Sequence, residues 1–312
     1  MRNPTLRQLR SLMAIHASGK ISVAAKRLGL TAPAVTLQLQ QLEAEVGLPL
    51  FDRTPEGMRP TAAGLAVLEA ARAIDERLRL LGEEIEAISG GRTGNLKVGV
   101  VSTAKYFAPR LLAAFLKQYP GVQVDLVVGN RAEIIAALKR HDLDTALMGR
   151  PPREVPVRSL MFGNHPFVVI APADHPLAPK RRIAKAAIAR ERFLLREPGS
   201  GTRMSLEVFF ADIPEKLEDL GTEMGSNETI KQAVMAGLGV AFISAHTIEQ
   251  ELQLGRLAIL DVEGMPITKQ WFAVSRLDRS MSPAMEAFSG FLTQHGAACL
   301  PAVDPVGGKR RQ

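Results

Sequence analysis

Three glycines, at positions 19, 29 and 47, cut the first fifty residues into three short segments with apolar periodicity. A chain punctuated in this way builds short helices with sharp corners, because glycine closes a helix C-terminus at little steric cost. Leu6, Leu9, Leu12, Met13 and His16 recur at helical spacing and predict a first amphipathic helix that Gly19 ends. Ile21 to Leu28 predicts a second, with Ser22 as its N-cap. Its Ala24-Ala25 pair is small enough for another helix to cross closely, and Leu30, after Gly29, is placed to plug the corner. Thr31 caps a third helix, and Pro33 stands in its first turn, where a missing N–H costs nothing. Val35, Leu39, Leu42 and Val46 carry that helix to Gly47. Two helices joined by a glycine-containing turn form an arrangement used to enter a DNA major groove.

Ala32, Pro33, Thr36 and Gln40 fall on the exposed N-terminal face of the third helix, as short groups able to meet thymine methyls and base edges. Residues 49–61, with Arg53 and Arg59 about a Pro-Glu-Gly turn, read as a β-wing. The candidate DNA-contacting set is therefore Ser22, Thr31, Ala32, Pro33, Val35, Thr36 and Gln40 with Arg53 and Arg59. Charge agrees: residues 1–61 hold eight basic side chains against four acidic, whereas residues 62–89 hold three against six. A basic head of this kind suits phosphate contact, the plain alternative being a solvated surface on a structural bundle.

The acidic segment from Ala62 to Ile88 has no proline. Ile74, Leu78, Leu81, Ile85 and Ile88 follow one another in steps of 4, 3, 4 and 3, and Leu65, Leu68 and Ala71 extend the series upstream. This is a heptad seam, and a narrow apolar seam on a polar helix calls for a partner, either a second chain or another part of its own. Ser89 to Gly94 reads as a flexible hinge.

Beyond the hinge, strand-like runs at 96–101, 122–128 and 145–148 alternate with helical stretches at about 106–118 and 131–139. After Pro151-Pro152 the cycle restarts at 167–170, 193–195 and 240–243, and 271–274 with a helix near 283–294 returns to the first part. Alternation of this kind predicts a mostly parallel sheet in two α/β lobes, with a cleft at the strand carboxyl ends. The cleft candidates are Ser102, Thr103, Arg150, Pro151, Arg196, Gly199, Ser200, Gly201, Thr202, Arg203, Asn227 and Glu228. In the run Arg196 to Arg203, glycines free backbone N–H groups, hydroxyls flank them, and two arginines offer bidentate partners for a carboxylate or phosphate. An ordinary capped turn is the plainer reading of that loop.

Residues 4–61 resemble the winged helix-turn-helix of LysR-type transcriptional regulators. The likeness rests on Leu6-Arg7-Gln8-Leu9, Ser22 to Leu28, Ala32 to Thr36, Leu42-Glu43, Val46-Gly47, Leu50 to Arg53 and Thr61 to Gly64. One departure stands out: many members place arginine after the Ser/Thr of the third helix, where this chain has Leu37. The resemblance implies that the long helix dimerises, so that two heads read an inverted repeat, and that the remainder is an effector domain of periplasmic-binding-protein type. The stretches 127–131, 148–152 and 193–203 further resemble the subgroup controlling the RuBisCO operon of the Calvin–Benson–Bassham cycle, which adds Asn130 to the cleft candidates. That resemblance implies an activator, a homodimer or homotetramer with RNA polymerase as a further partner, and an anionic effector such as a sugar phosphate, phosphoenolpyruvate or NADPH. Closure of the cleft on that anion around Arg150, Arg196, Thr202 and Arg203 would alter the angle between dimers and the DNA bend. The implied organisation is a head at 1–61, a linker helix at 62–90 and an effector domain at 91–300, with a tail at 301–312. Within the effector domain, lobe I takes about 91–160 and 270–300, and lobe II about 161–269.

Other classes find little support. No apolar run approaches the roughly 20 residues that cross a bilayer, no signal-like segment follows Met1, and one cysteine, Cys299, suits a reducing cytosol. The six histidines lack metal-ligand spacing, and His165-Pro166 and His175-Pro176 read as loops. There is no Walker A lysine and no Gly-x-Ser-x-Gly, so neither an enzyme nor a resident cofactor is expected. Asp142 and Asp144 read as structural.

Overall fold

A computed structural model describes residues 4–55, 57–88 and 94–303, which fall into two compact units, Met1–Ile85 and Glu86–Gln312. Of the expected hinge Ser89 to Gly94, residues 89–93 lie outside the described residues, as do residue 56 at the tip of the wing and the tail from 304, whereas Gly94 is already the first residue of a strand.

In the first unit, α1 (Leu6–Ser18), α2 (Ile21–Leu28) and α3 (Ala32–Val46) pack around Leu12, Ile15, Ala24, Val35 and Leu42. Gly19, Gly29 and Gly47 end the three helices with φ of 67°, 65° and 76°, the left-handed turn that the sequence spacing demands. A capping box between Thr5 and Gln8 starts α1, and Thr31 caps α3 through the Ala34 amide at 3.4 Å. Two local expectations change. The N-cap of α2 is Lys20, which makes no side-chain cap bond, and Ser22 lies exposed in the first turn. Leu30 is exposed, and Leu28 packs against the core instead. The turn is held by the Leu30 amide, which donates to the Ala25 carbonyl at 2.9 Å.

The antiparallel wing, β1 (Phe51–Thr54) and β2 (Gly57–Pro60), is pinned to the end of α1 by the Met58 amide on the Gly19 carbonyl at 2.8 Å. Helix α4 (Ala62–Ile88) follows, its first turn capped by the Thr61 hydroxyl, which accepts from the Gly64 amide at 3.0 Å. Gly64 is obligatory: a Cβ there would collide with the Leu50 carbonyl oxygen. The seam divides along α4. Leu68 and Ala71 are buried in the head core, whereas Leu65, Ile74, Leu78, Leu81 and Ile85 are exposed.

In the second unit, β3 (Gly94–Val101), α5 (Ala108–Gln118), β4 (Val122–Gly129), α6 (Arg131–Lys139) and β5 (Thr145–Met148) build a parallel three-stranded edge. Where one helix from about 106 was expected, a 3-10 turn at Ala104–Tyr106 precedes α5, whose first turn accommodates Pro109. The long β6 (Val157–Pro172) then leaves this lobe. The second lobe contains α7 (Lys185–Ile188), β7 (Phe193–Arg196), α8 (Gly201–Phe209), α9 (Pro214–Glu218), β8 (Thr222–Met224), α10 (Asn227–Met235), β9 (Val240–Ser244), α11 (Glu249–Gln253) and β10 (Leu257–Leu260). Strand β11 (Ile267–Arg276) returns antiparallel to β6, and α12 (Pro283–His295) packs on the first lobe through Met285, Phe288 and Phe291. The strand order is β4-β3-β5-β11-β6-β9-β7-β8, with β10 also on β6. Both chain crossings are thus strands of one sheet, which makes its middle antiparallel.

His165-Pro166, expected in a loop, lies within β6 and pairs with Lys269 and Thr268 of β11. Asp144 is structural: it is buried, forms an ion pair with Arg279 and accepts the Lys97 amide.

Candidate functional site

The sequence of α3 determines which of its side chains can reach a ligand. Val35 is fully buried among Leu39 and Leu42, so its place in the expected DNA-contacting set is withdrawn. Ala32 is half-buried against the same core, and the Thr36 hydroxyl donates to the Ala32 carbonyl at 2.9 Å. Pro33 and Gln40 are exposed, and so is Leu37, which the residue-by-residue reading did not include. Thr31 is exposed but its hydroxyl serves the helix cap. Arg53 and Arg59 are both exposed, yet they stand on opposite faces of the wing, because Arg53 pairs with Met58 and Arg59 with Asp52. Lys26 and Arg27, exposed in the last turn of α2, add two further positive charges.

The second unit holds a cleft open to solvent. The ends of β3 and β5, the N-terminus of α6, the start of α8 and the two crossing strands line it. Six expected residues meet there: Ser102, Thr103, Arg150, Ser200, Gly201 and Thr202. Ser200 caps α8 by accepting the Thr202 amide at 3.3 Å, which leaves the helix N-terminus, with its partial positive charge, at the cleft.

Lining residues that sequence reasoning missed are Val101, Arg131, His165, Phe167, Met204, Ser205, Val208 and Lys269, while Gly149, expected at the cleft beside Arg150, also lines it. Arg131 is the first residue of α6; its guanidinium donates to the carbonyl oxygens of Arg150 at 2.5 Å and Pro151 at 3.4 Å. Lys269 projects from β11 and donates to Ser205 Oγ at 2.6 Å. Burial lowers the Lys269 pKa below the usual lysine range, and the charges of Arg150 and Arg131 push it the same way. Burial also lowers Arg131, against the pull of Glu154 and with the repulsion of Arg150. Three cations that repel one another in a half-buried space, with no Asp or Glu among the lining residues, form a site short of negative charge. The signal for Arg131 was its place at a helix start after a strand; Lys269, between Thr268 and Gln270 ahead of the apolar run 271–274, gave none.

The floor is aromatic. His165 stacks on Trp271 with ring centroids 3.8 Å apart, and its Nε2 contacts Ser244 Oγ at 3.0 Å. Burial holds its pKa well below the usual histidine value, so the ring is neutral. Its Nδ1 has no hydrogen-bond partner and faces Gly149, where an added Cβ would stand 2.8 Å away. Trp271 Nε1 donates to His246 Nδ1 at 3.1 Å.

Seven expected residues stand outside the lining. Arg196 is buried, and its donors are spent on Glu197 at 2.7 and 2.8 Å, Asn227 Oδ1 at 2.6 Å and Ser102 Oγ at 3.0 Å. It therefore braces the Ser102 loop and does not line the cleft. Arg203 turns away to Glu207 and Glu223, at 3.2 and 2.8 Å. Asn227 is buried as the acceptor for Arg196, and Glu228 is held by Lys105 and Tyr106. Asn130 closes a capping box with Glu133. Pro151 offers its carbonyl to Arg131, and Gly199 abuts Ala132 of α6. No group of three or more His, Cys, Asp or Glu among the described residues is placed to hold a metal ion.

Both halves match known families. Residues 6–65 match the bacterial regulatory helix-turn-helix protein of the lysR family, and residues 89–297 match the LysR substrate binding domain. The chain is 62% identical over 303 residues, 97% of each protein, to the HTH-type transcriptional regulator CbbR of Sinorhizobium medicae (strain WSM419). It is 44% identical over 293 residues, 94% of this chain and 97% of the relative, to the RuBisCO operon transcriptional regulator of Allochromatium vinosum. The regulatory domain of CcmR from Synechocystis PCC6803, solved in complex with 2-PG, aligns with a TM-score of 0.59 at 35% identity. The alignment covers 65% of this chain and 97% of that one. With a head of matching helices, a two-lobed domain of matching fold and regulators among its close relatives, this chain belongs to the LysR family of bacterial transcriptional regulators.

Proposed function

We infer that this regulator controls a RuBisCO operon in response to a phosphorylated, anionic metabolite held between the lobes of its effector domain. One observation carries the effector class: Arg131, Arg150 and Lys269 share a cleft with the α8 N-terminus and five hydroxyls, and no carboxylate lines it. Such a set binds dianions by charge-assisted hydrogen bonds and repays the mutual repulsion of the cations. The 62% identity to CbbR and the 44% identity to a RuBisCO operon regulator support the operon. The 2-PG bound by the related CcmR domain supports the ligand class, alongside sugar phosphates, phosphoenolpyruvate and NADPH.

In this reading the exposed Ile74, Leu78, Leu81 and Ile85 seam pairs two chains, and a homotetramer sets two pairs of heads on the DNA. Ile88, the last seam position, belongs to α4 and extends the same spacing. Binding of the anion changes DNA bend and affinity and so activates transcription through RNA polymerase in the cytoplasm, with no resident cofactor. The test is footprinting of the full-length protein on RuBisCO-operon promoter fragments, alone and with 2-PG, phosphoenolpyruvate, sugar phosphates or NADPH. One of these should shift the footprint or affinity. Proven binding of a metabolite with unchanged DNA contacts for all of them would defeat the coupling.

A further inference from the structure

The helix that family membership directs into the major groove carries no lysine or arginine: it reads Ala-Pro-Ala-Val-Thr-Leu-Gln-Leu-Gln-Gln-Leu-Glu-Ala-Glu-Val. Its core face is Val35, Leu39 and Leu42. Leu37 lies about 160° around the helix axis from both Val35 and Leu39, at about 100° per residue. It is 55% exposed, flanked on the same stripe by exposed Pro33 and Gln40. No packing within the head accounts for a large apolar side chain at that point. The head's exposed cations, Lys26, Arg27, Arg53 and Arg59 among them, all lie off this helix.

We propose that Leu37 reads a thymine 5-methyl group in the major groove and so fixes a T·A pair in each half-site. The chemistry leaves little choice. Base-edge donors and acceptors and phosphates lose their water against a leucine without gaining a hydrogen bond, and the thymine methyl is the one major-groove group that an apolar side chain rewards. Neighbouring groups reinforce it. The Thr36 hydroxyl is already used by the Ala32 carbonyl, and Gln40, one turn along, supplies the amide that pairs with adenine N6 and N7. Affinity then comes from cations elsewhere on the head, while this helix discriminates bases without charge. The proposal deepens the DNA-binding reading and rests on it.

The experiment uses the full-length protein. It selects sites from a random duplex library, and each thymine of the selected half-site is then replaced singly by deoxyuridine, which removes only the methyl. Affinities of the wild type and Leu37→Ala are measured by fluorescence anisotropy. One deoxyuridine position should weaken the wild type about fourfold, the worth of one buried methyl, and leave Leu37→Ala unchanged. Leu37→Ala should keep its thermal melting point, since the side chain is exposed. Equal deoxyuridine penalties in both proteins, or none at any thymine, would overturn the role of Leu37. Failure to select any sequence would overturn the DNA reading of the head itself, and the proposal with it.

Discussion

Trp271 Nε1 donates its hydrogen to His246 Nδ1, so that nitrogen must carry a lone pair, and burial holds the His246 pKa at about 4 against an ordinary 6.5. The unfolded chain takes up this proton below pH 6.5, whereas the folded chain resists until about pH 4. Stability is therefore full above pH 6.5 and falls as pH drops towards 4, by about 3 kcal/mol. Buried His165, whose pKa burial also holds well below the usual histidine value, adds to the loss in the same direction. Urea unfolding followed by circular dichroism at pH 7 and pH 4.5 should show it, and His246→Gln should flatten the slope. The cleft offers a second contrast. Lys269→Met should weaken binding of 2-PG about tenfold or more, as the loss of a charge-assisted bond does, whereas Arg203→Ala should not, since Arg203 faces Glu207 and Glu223. Isothermal titration decides between them. Sequence reasoning favoured Arg196 and Arg203 because arginines beside a glycine-rich loop look like anion ligands. It had no access to Glu197, Asn227, Glu207 and Glu223, the partners that absorb them. Ser200 and Thr202 were legible because a strand-to-helix loop places its cap at the strand's carboxyl end.

Among the elements, α4 shows why a heptad can mislead. Leu68 and Ala71 continue the spacing of Leu78 and Leu81, yet they belong to the head core. Periodicity reports which face is apolar and not what covers it. Replacing Leu78 and Leu81 with glutamate should leave the head folded and dissociate the proposed dimer in sedimentation velocity. Gly64→Ala should act differently. Its methyl meets the Leu50 carbonyl oxygen, so the head should lose about 1–3 kcal/mol in thermal melts with no direct change to the exposed seam. The helix ends of the head were readable because glycine, Thr31 and Pro33 are unambiguous signals. The part of β6 up to Pro166 was not: Arg158, Ser159, Asn164 and Pro166 interrupt its apolar pattern. It is a strand because β11 supplies a partner along its length, and such tertiary pairing is invisible to a local pattern. The three-residue β8 and the four-residue β10 are likewise too short to show a period.

At the scale of the molecule, a small basic head and a large sensing unit share one chain, and thermodynamic linkage obliges them to respond reciprocally if effector and DNA are coupled. An effector at 100 times its dissociation constant should stabilise the unit that binds it by about 2.7 kcal/mol. Differential scanning calorimetry of the whole protein would see the corresponding upward shift in that unit's transition. Trp271 is the chain's single tryptophan, and it stacks on His165 beneath the cleft. Its indole emission comes from one known place, without a competing tryptophan elsewhere. Occupancy of the cleft is thus legible in unlabelled protein as a change of colour or brightness, and a titration by eye of the fluorimeter can follow ligand even while the protein sits on its operator.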